Sequence, residues 1–129
     1  MATELLNKEA YTIDADNLVL AVGYPTLHRS ITITNPEVAL KRGMAVINHS
    51  GTLYIAGEKD SSTPPVTITG DIVAILTSDH DADTTNATVT VDAYVSGAFN
   101  VGEVKTTNSL DISTAAYVLG AQGNGIYLL

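Results

Sequence analysis

The residues most able to do chemistry are three carboxylates and an imidazole that lie close together in the run Asp79–Asp83. Carboxylate oxygens can ligate a divalent cation. The spacing does not fit an EF-hand calcium loop, which needs Gly at its sixth position and Glu at its twelfth, because Thr84 and Thr90 stand there. The pattern therefore predicts a solvated acidic loop that follows a buried strand. The alternative is a carbohydrate- or cation-binding β-module that uses this loop.

No other group of residues has the spacing of a catalytic or cofactor site. The histidines His28, His49 and His80 lie in separate predicted loops and form no HExxH motif. The chain has no Cys, which excludes a Cys nucleophile, a thiolate metal site and a disulfide framework. It also lacks a GxSxG nucleophile motif and a GK[ST] phosphate loop. We therefore expect no enzyme, no cofactor, no metal and no small-molecule substrate, with an unrecognised hydrolase as the remaining alternative.

Length and charge narrow the class of partner. The chain has 129 residues, enough for one domain with its own core. It carries 14 acidic and 6 basic residues, and its net charge of −8 repels nucleic-acid phosphates and anionic membrane surfaces. The longest apolar runs are too short to span a bilayer, and no signal-peptide pattern opens the sequence. We therefore expect neither nucleic acid nor a membrane as a partner.

The middle of the chain has the apolar patterns of β-strands. The candidate strands before residue 80 are 30–34, 44–47, 52–55 and 72–76. The second and third are separated by His49-Ser50-Gly51, which predicts a hairpin. The fourth is continuously apolar and β-branched, which predicts a strand that is buried on both faces.

Residues 88–95 form the clearest strand pattern of the chain. Four apolar side chains fall on one face: Val89, Val91, Ala93 and Val95. Ser96-Gly97-Ala98 then predicts a turn, and residues 99–105 a bent continuation.

The C-terminal region holds the predicted helix. The pattern predicts a helix over residues 114–119, capped by Ser113 and ended by Gly120 or Gly123. The alternative is a longer helix that is capped by Asn108 or Ser109. Residues 125–129 then predict a final strand. The expected fold is mixed α+β and mostly β, with one short C-terminal helix.

Residues 1–29 show no sustained helical or strand period. Gly23 and Pro25 interrupt the segment. We interpret it as an extended N-terminal arm that is at least partly unpacked in the free subunit. The alternative is irregular coil packed along the domain. The predicted organisation is an arm over residues 1–29 and a β-rich domain over residues 30–129.

Several stretches, in order along residues 16–129, resemble the phage head decoration proteins, the family of lambda head protein D. They are 16–18 with 23–25, 40–46 with Gly51 and Tyr54, 74–76 with 83–85, 89–100, and 125–128. Order and spacing carry the resemblance more than any single motif. The chain has no Trp, so it is similar to the broader family more than to lambda protein D itself.

The resemblance implies a structural protein that binds the outer surface of an expanded phage head. In such a family, homotrimers sit at three-fold and quasi-three-fold sites, and the arm adds to a β-sheet of the major capsid protein. The head is thereby stabilised against the pressure of its DNA. The expected location is the virion surface, and the host cytoplasm during assembly. The arm residues expected to bind the capsid are Leu5, Leu6, Tyr11, Ile13, Asp16, Asn17 and Leu18.

Overall fold

The computed structural model describes residues 17–20, 25–34, 39–81 and 85–129. Its strands are β1 (Leu27–Thr34), β2 (Ala45–His49), β3 (Thr52–Ile55), β4 (Asp71–Leu76), β5 (Thr88–Phe99) and β6 (Ile126–Leu128). A 3-10 helix (Val101–Glu103) and the α-helix α1 (Ala115–Gly123) lie between β5 and β6. The fold is therefore mixed α+β and mostly β, with a short C-terminal helix, which confirms the predicted class.

The strands form one sheet in the order β1-β5-β4-β2-β3, with each strand antiparallel to its neighbours. The last strand, β6, pairs in parallel with the end of β5. The sheet curls until its edge strands β1 and β3 come near each other. Curling buries one face inside the sheet and leaves the other to be covered by the rest of the chain.

Two buried clusters lie on the two faces of this sheet. We call the cluster under α1 the covered core; its buried members are Leu18, Ala45, Ile47, Ala56, Ile72, Ile75, Phe99, Ile112, Ala121, Ile126 and Leu128. We call the cluster within the curl the inner core; its buried members are Ile33, Leu40, Met44, Val46, Ile55, Ala74, Leu76, Val91 and Ala93. Both edge strands contribute to the inner core, which explains why the sheet curls.

The strand β4 supplies side chains to both clusters. Ile72 and Ile75 point into the covered core, whereas Ala74 and Leu76 point into the inner core. This confirms the predicted burial on both faces. The predicted hairpin of β2 and β3 is also confirmed, with Val46 opposite Ile55.

The strand β5 confirms one prediction and corrects another. The apolar face beginning at Val89 packs on the inner core, as its period predicts. The predicted turn at residues 96–98 is wrong, because β5 continues through it to Phe99. Gly97 has φ +141°, and a Cβ there would lie 3.0 Å from Oγ1 of Thr26 and 3.2 Å from the Phe99 ring. The glycine thus permits a close approach of neighbouring groups, with no reversal of the chain.

The region after β5 also departs from its predicted structure. Residues 99–105 do not form a bent strand; the 3-10 helix begins after Asn100, whose side chain accepts a hydrogen bond from the Gly102 amide. The helix α1 follows Thr114, so Ser113 is not its cap. Ser113 donates its hydroxyl to the Asp111 carboxylate instead, at 2.6 Å. The helix runs to Gly123, the second of its two predicted ends.

The predicted boundary between arm and domain falls inside β1. This strand begins at Leu27, where its partner is Ser96 of β5.

Among the described residues, the helices are all too short or too polar to cross a membrane.

Candidate functional site

Residues 17–20, which fall within the predicted arm, join the sheet at the end of β5. Val19 forms an antiparallel bridge with Phe99. The amide of Asn100 donates to the carbonyl of Leu18, and the amide of Leu20 donates to the carbonyl of Ala98, both at 2.9 Å. We call residues 17–20 together with residues 97–100 the arm junction.

The other side of the same β5 residues is occupied by β6. The Gly97 amide donates to the Gly125 carbonyl at 3.1 Å, and the Leu129 amide donates to the Phe99 carbonyl at 2.9 Å. The end of β5 is therefore held from both sides, and Phe99 is fully buried. This makes the arm junction a firm anchor for whatever precedes residue 17.

Asn17 is the corner of the arm junction. Its φ is +57°, in the left-handed region that Asn tolerates better than most residues. Its side chain is exposed, whereas the side chain of the following Leu18 is only 1% exposed. The backbone thus turns at Asn17 as it enters the domain.

The predicted arm residues divide into two groups. Leu5, Leu6, Tyr11, Ile13 and Asp16 lie outside the described residues. Leu18 belongs to the covered core, where burial of such a side chain stabilises the fold by roughly 1.5–3 kcal/mol. The Leu18 side chain packs inside the domain and is not accessible to a partner. The Asn17 side chain is exposed.

The acidic run Asp79–Asp83 makes hydrogen bonds to the rest of the domain through its first two residues. The Asp79 carboxylate accepts a hydrogen bond from the Arg42 backbone amide at 2.7 Å. His80 pairs through its backbone with Leu40. Asp81 is exposed, and Asp83 lies outside the described residues. Across the described ranges, no three His, Asp or Glu side chains are grouped as metal ligands.

The Arg42 side chain fastens this loop to the sheet. Its Nη1 donates to the Thr77 carbonyl and to the Tyr94 hydroxyl, each at 2.9 Å. Its guanidinium also lies 5.6 Å from the centre of the Tyr94 ring, within the range of a cation–π interaction. Together with the backbone amide, these contacts join Thr77 and Asp79 to Arg42 and Tyr94.

Two of the three histidines are in different surroundings from those predicted. His28 lies in β1 and His49 ends β2, so the prediction of loops is wrong for both. The Nδ1 atom of His28 is 3.1 Å from the Asp92 carboxylate, and that of His49 is 2.7 Å from the Thr69 carbonyl. Each ring thus has a local partner in the fold.

Glu58 is the ionisable group that sequence reasoning missed. Its side chain is half-buried, and burial raises the pKa of its carboxyl from 4.5 to about 7. In the sequence it stands in the charged run Glu58-Lys59-Asp60, which has no pattern of a site. The amide of Ile68 donates to the Glu58 carbonyl at 2.8 Å, and Ile68 packs against the covered core. No local sequence pattern signals this burial.

No protein-family model matches the chain. No curated protein matches its sequence either. The resemblance to phage head decoration proteins therefore stays a prediction.

Proposed function

We propose that this chain is a structural decoration protein of a phage head. It binds as a homotrimer to the outer surface of the expanded head, at three-fold sites, and stabilises the shell against the pressure of the packaged DNA. Its partners are the major capsid protein and other copies of itself. Its role is mechanical and needs no catalytic residue.

One observation carries the proposal. Parts of three stretches that resemble the family, residues 17–18, 97–100 and 125–128, are far apart in the sequence but lie together at the end of β5. Residues that share a family pattern because they build one structural feature are expected to lie together in this way. The arm junction is also the feature that the proposed mechanism requires, because it anchors an arm to a firm domain.

The physical mechanism is strand addition by the arm. An extended segment can pair with the edge of a capsid sheet, where backbone hydrogen bonds give affinity and alternate side chains give register. Ordering costs about 1–2 kcal/mol per residue in backbone entropy, so a single arm binds weakly. Three arms on one trimer make the later contacts intramolecular, which raises the avidity by about 10²–10⁴.

The burial of Leu18 fixes where the arm should be cut to test this mechanism. Deletion of residues 1–16 keeps the whole arm junction, whereas deletion of residues 1–20 would also remove a buried core side chain. The shorter deletion is therefore the informative one. We expect it to leave a folded protein of unchanged oligomeric mass that no longer binds expanded heads.

The measurement is co-sedimentation with expanded and unexpanded heads of the cognate virus, with mass from light scattering. A matched control keeps residues 1–16 at full length with their order scrambled, which separates the sequence of the arm from its bulk. Full-length protein that binds no expanded head would refute the proposed function. Truncated protein that binds as tightly as full length would refute the arm mechanism.

A further inference from the structure

The C-terminal part of the chain has no charged side chain over residues 112–129. Charged residues make up 16% of the sequence, so a segment of this length would ordinarily carry about three. It includes α1 and β6, and α1 is on the surface: its only buried residue is Ala121. A surface helix usually places charged or polar residues on its outward side. A surface helix with no charged side chain is therefore unusual.

The outward side of α1 is uncharged and surrounds one large apolar residue. Leu119 is 64% exposed, the highest value among the exposed large hydrophobic residues of the described ranges. At 3.6 residues per turn, the exposed neighbours that surround it on the helix surface are Ala115, Ala116, Gln122 and Gly123. We call these five residues the neutral helix face.

The neutral helix face is held rigidly by contacts at the end of the helix. The Asn124 side chain donates to the Ile72 carbonyl of β4 at 3.3 Å and to the Gly120 carbonyl at 3.2 Å. The Asp71 carboxylate of β4 lies directly beside Gly120, so a side chain at position 120 would displace that carboxylate. Rigid presentation lowers the entropy cost of binding a partner.

We propose that the neutral helix face is the surface through which copies of this chain associate with each other, an inference that rests on the self-association in the proposed function. The cores of protein interfaces are depleted of charged residues, and an exposed leucine among small residues can seat in a pocket of a neighbour.

Net charge limits which part of the surface two copies can bring together. Each copy carries −8, so contacts between charged surfaces of two copies would place like charges together. The segment 112–129 is a part of the chain where two copies can meet without opposing charged side chains. The acidic groups near its edge, Asp71 and Asp111, would form a solvated rim outside the contact.

The test uses the full-length protein and the substitution Leu119→Lys. Lysine keeps the helix propensity of leucine but places an ammonium in the proposed contact. It also reduces the net negative charge, so any general repulsion between copies would become weaker. We expect the association constant, measured by sedimentation equilibrium, to fall by roughly 30-fold or more.

The matched control is Leu27→Lys, which changes a leucine of β1 with a similar exposure of 59%. We expect its association constant to stay within about threefold of the wild-type value. Wild-type protein that stays monomeric at high concentration would overturn the inference. It would also be overturned if Leu119→Lys associates as tightly as wild type, or if both substitutions weaken association equally.

A second measurement uses the absence of Cys from the chain. The variants Leu119→Cys and Leu27→Cys each carry a single thiol whose reaction with a maleimide can be timed. We expect the rate at position 119 to fall as the protein concentration rises, and the rate at position 27 to stay constant. A concentration-independent rate at position 119 would count against the proposed contact.

The head-binding assay separates this inference from the proposed function. Association that depends on Leu119, in a protein that binds no expanded head, would refute the decoration role and support the contact. Head binding by a Leu119→Lys protein that still associates normally would refute the contact and leave the decoration role standing.

Discussion

The two halves of β5 differ in a way that separates visible chemistry from structural importance. The first half pairs with β1, and Thr90 is exposed there while Asp92 faces His28 on the surface. The last residues, up to Phe99, are enclosed by the arm junction and by β6. The titratable and hydroxyl side chains therefore gather at the open half, whereas the feature on which the proposed function depends is apolar and made largely of backbone contacts.

The energies of the two halves differ for a simple reason. In the open half, the hydroxyls of Thr32 and Thr90 are 3.2 Å apart and the His28–Asp92 contact is exposed, so water competes for both interactions. In the covered half, the Phe99 ring packs 5.5 Å from the Tyr94 ring and is removed from water. Stability should therefore depend far more on the buried Phe99 side chain than on these exposed polar contacts of the open half.

The largest expected effect is that of Phe99→Ala. Truncation of a fully buried aromatic side chain costs about 3–5 kcal/mol of unfolding free energy, because it removes apolar burial and leaves a cavity. The matched control is Thr90→Ala in the same strand, expected to stay within about 0.5 kcal/mol of wild type. Urea unfolding measures both. Equal losses for the two variants would mean that β5 is uniform in stability and that the comparison is wrong.

The second effect concerns a carboxyl beside the covered core. Because burial raises the pKa of Glu58 from 4.5 to about 7, the folded state binds its proton more tightly than the unfolded state does. This favours folding at low pH and is lost as the pH rises from about 4.5 to about 7. Glu58→Gln keeps the shape but cannot ionise, so the variant should be more stable than wild type above pH 7.

The size of that effect is limited by the partial exposure of Glu58. After solvent screening we expect the unfolding free energy of Glu58→Gln to exceed that of wild type by about 1–2 kcal/mol at pH 8. At pH 4 we expect no difference, because the wild-type carboxyl is then mostly protonated in both the folded and the unfolded protein. Thermal unfolding at the two pH values tests this. Glu103→Gln, at an exposed position, is the control and should show no such dependence on pH. A Glu58→Gln variant no more stable than wild type at pH 8 would place Glu58 in ordinary solvent.

The open half of β5 was more predictable from the sequence than the covered half. The alternation of Val89 and Val91 with polar residues predicts both strand and orientation, because this information is local. Gly97 reads locally as a turn, yet the approach of Thr26 and Phe99 makes it part of a strand. Tertiary contacts decide such positions, and a single sequence does not display them.

The same limit applies to the candidate functional site. The arm junction joins Leu18 to Asn100 and Gly97 to Gly125, pairs that no local period connects. The acidic run at Asp79 was conspicuous because its residues are adjacent, but its first carboxylate is engaged by the Arg42 backbone amide. The acidic loop is visible in the sequence because its residues are adjacent. The arm junction is visible only in the fold, because its segments are distant in sequence.

The smallest expected effect belongs to His28 in the open half. Hydrogen bonds from His28 first, and then from Thr77, hold the pKa of Asp92 below its usual value. A lowered pKa contributes stability above the unfolded pKa, and this contribution is lost as the pH falls through the folded value. His28→Ala should therefore raise the pKa of Asp92 toward its usual value, measured by NMR titration of its carboxyl carbon, while the free energy of unfolding at neutral pH stays nearly unchanged.

Since both side chains are solvated, a large loss of stability in His28→Ala would contradict the contrast between the two halves of β5. An unmoved Asp92 pKa would instead show that Thr77 alone holds the carboxylate.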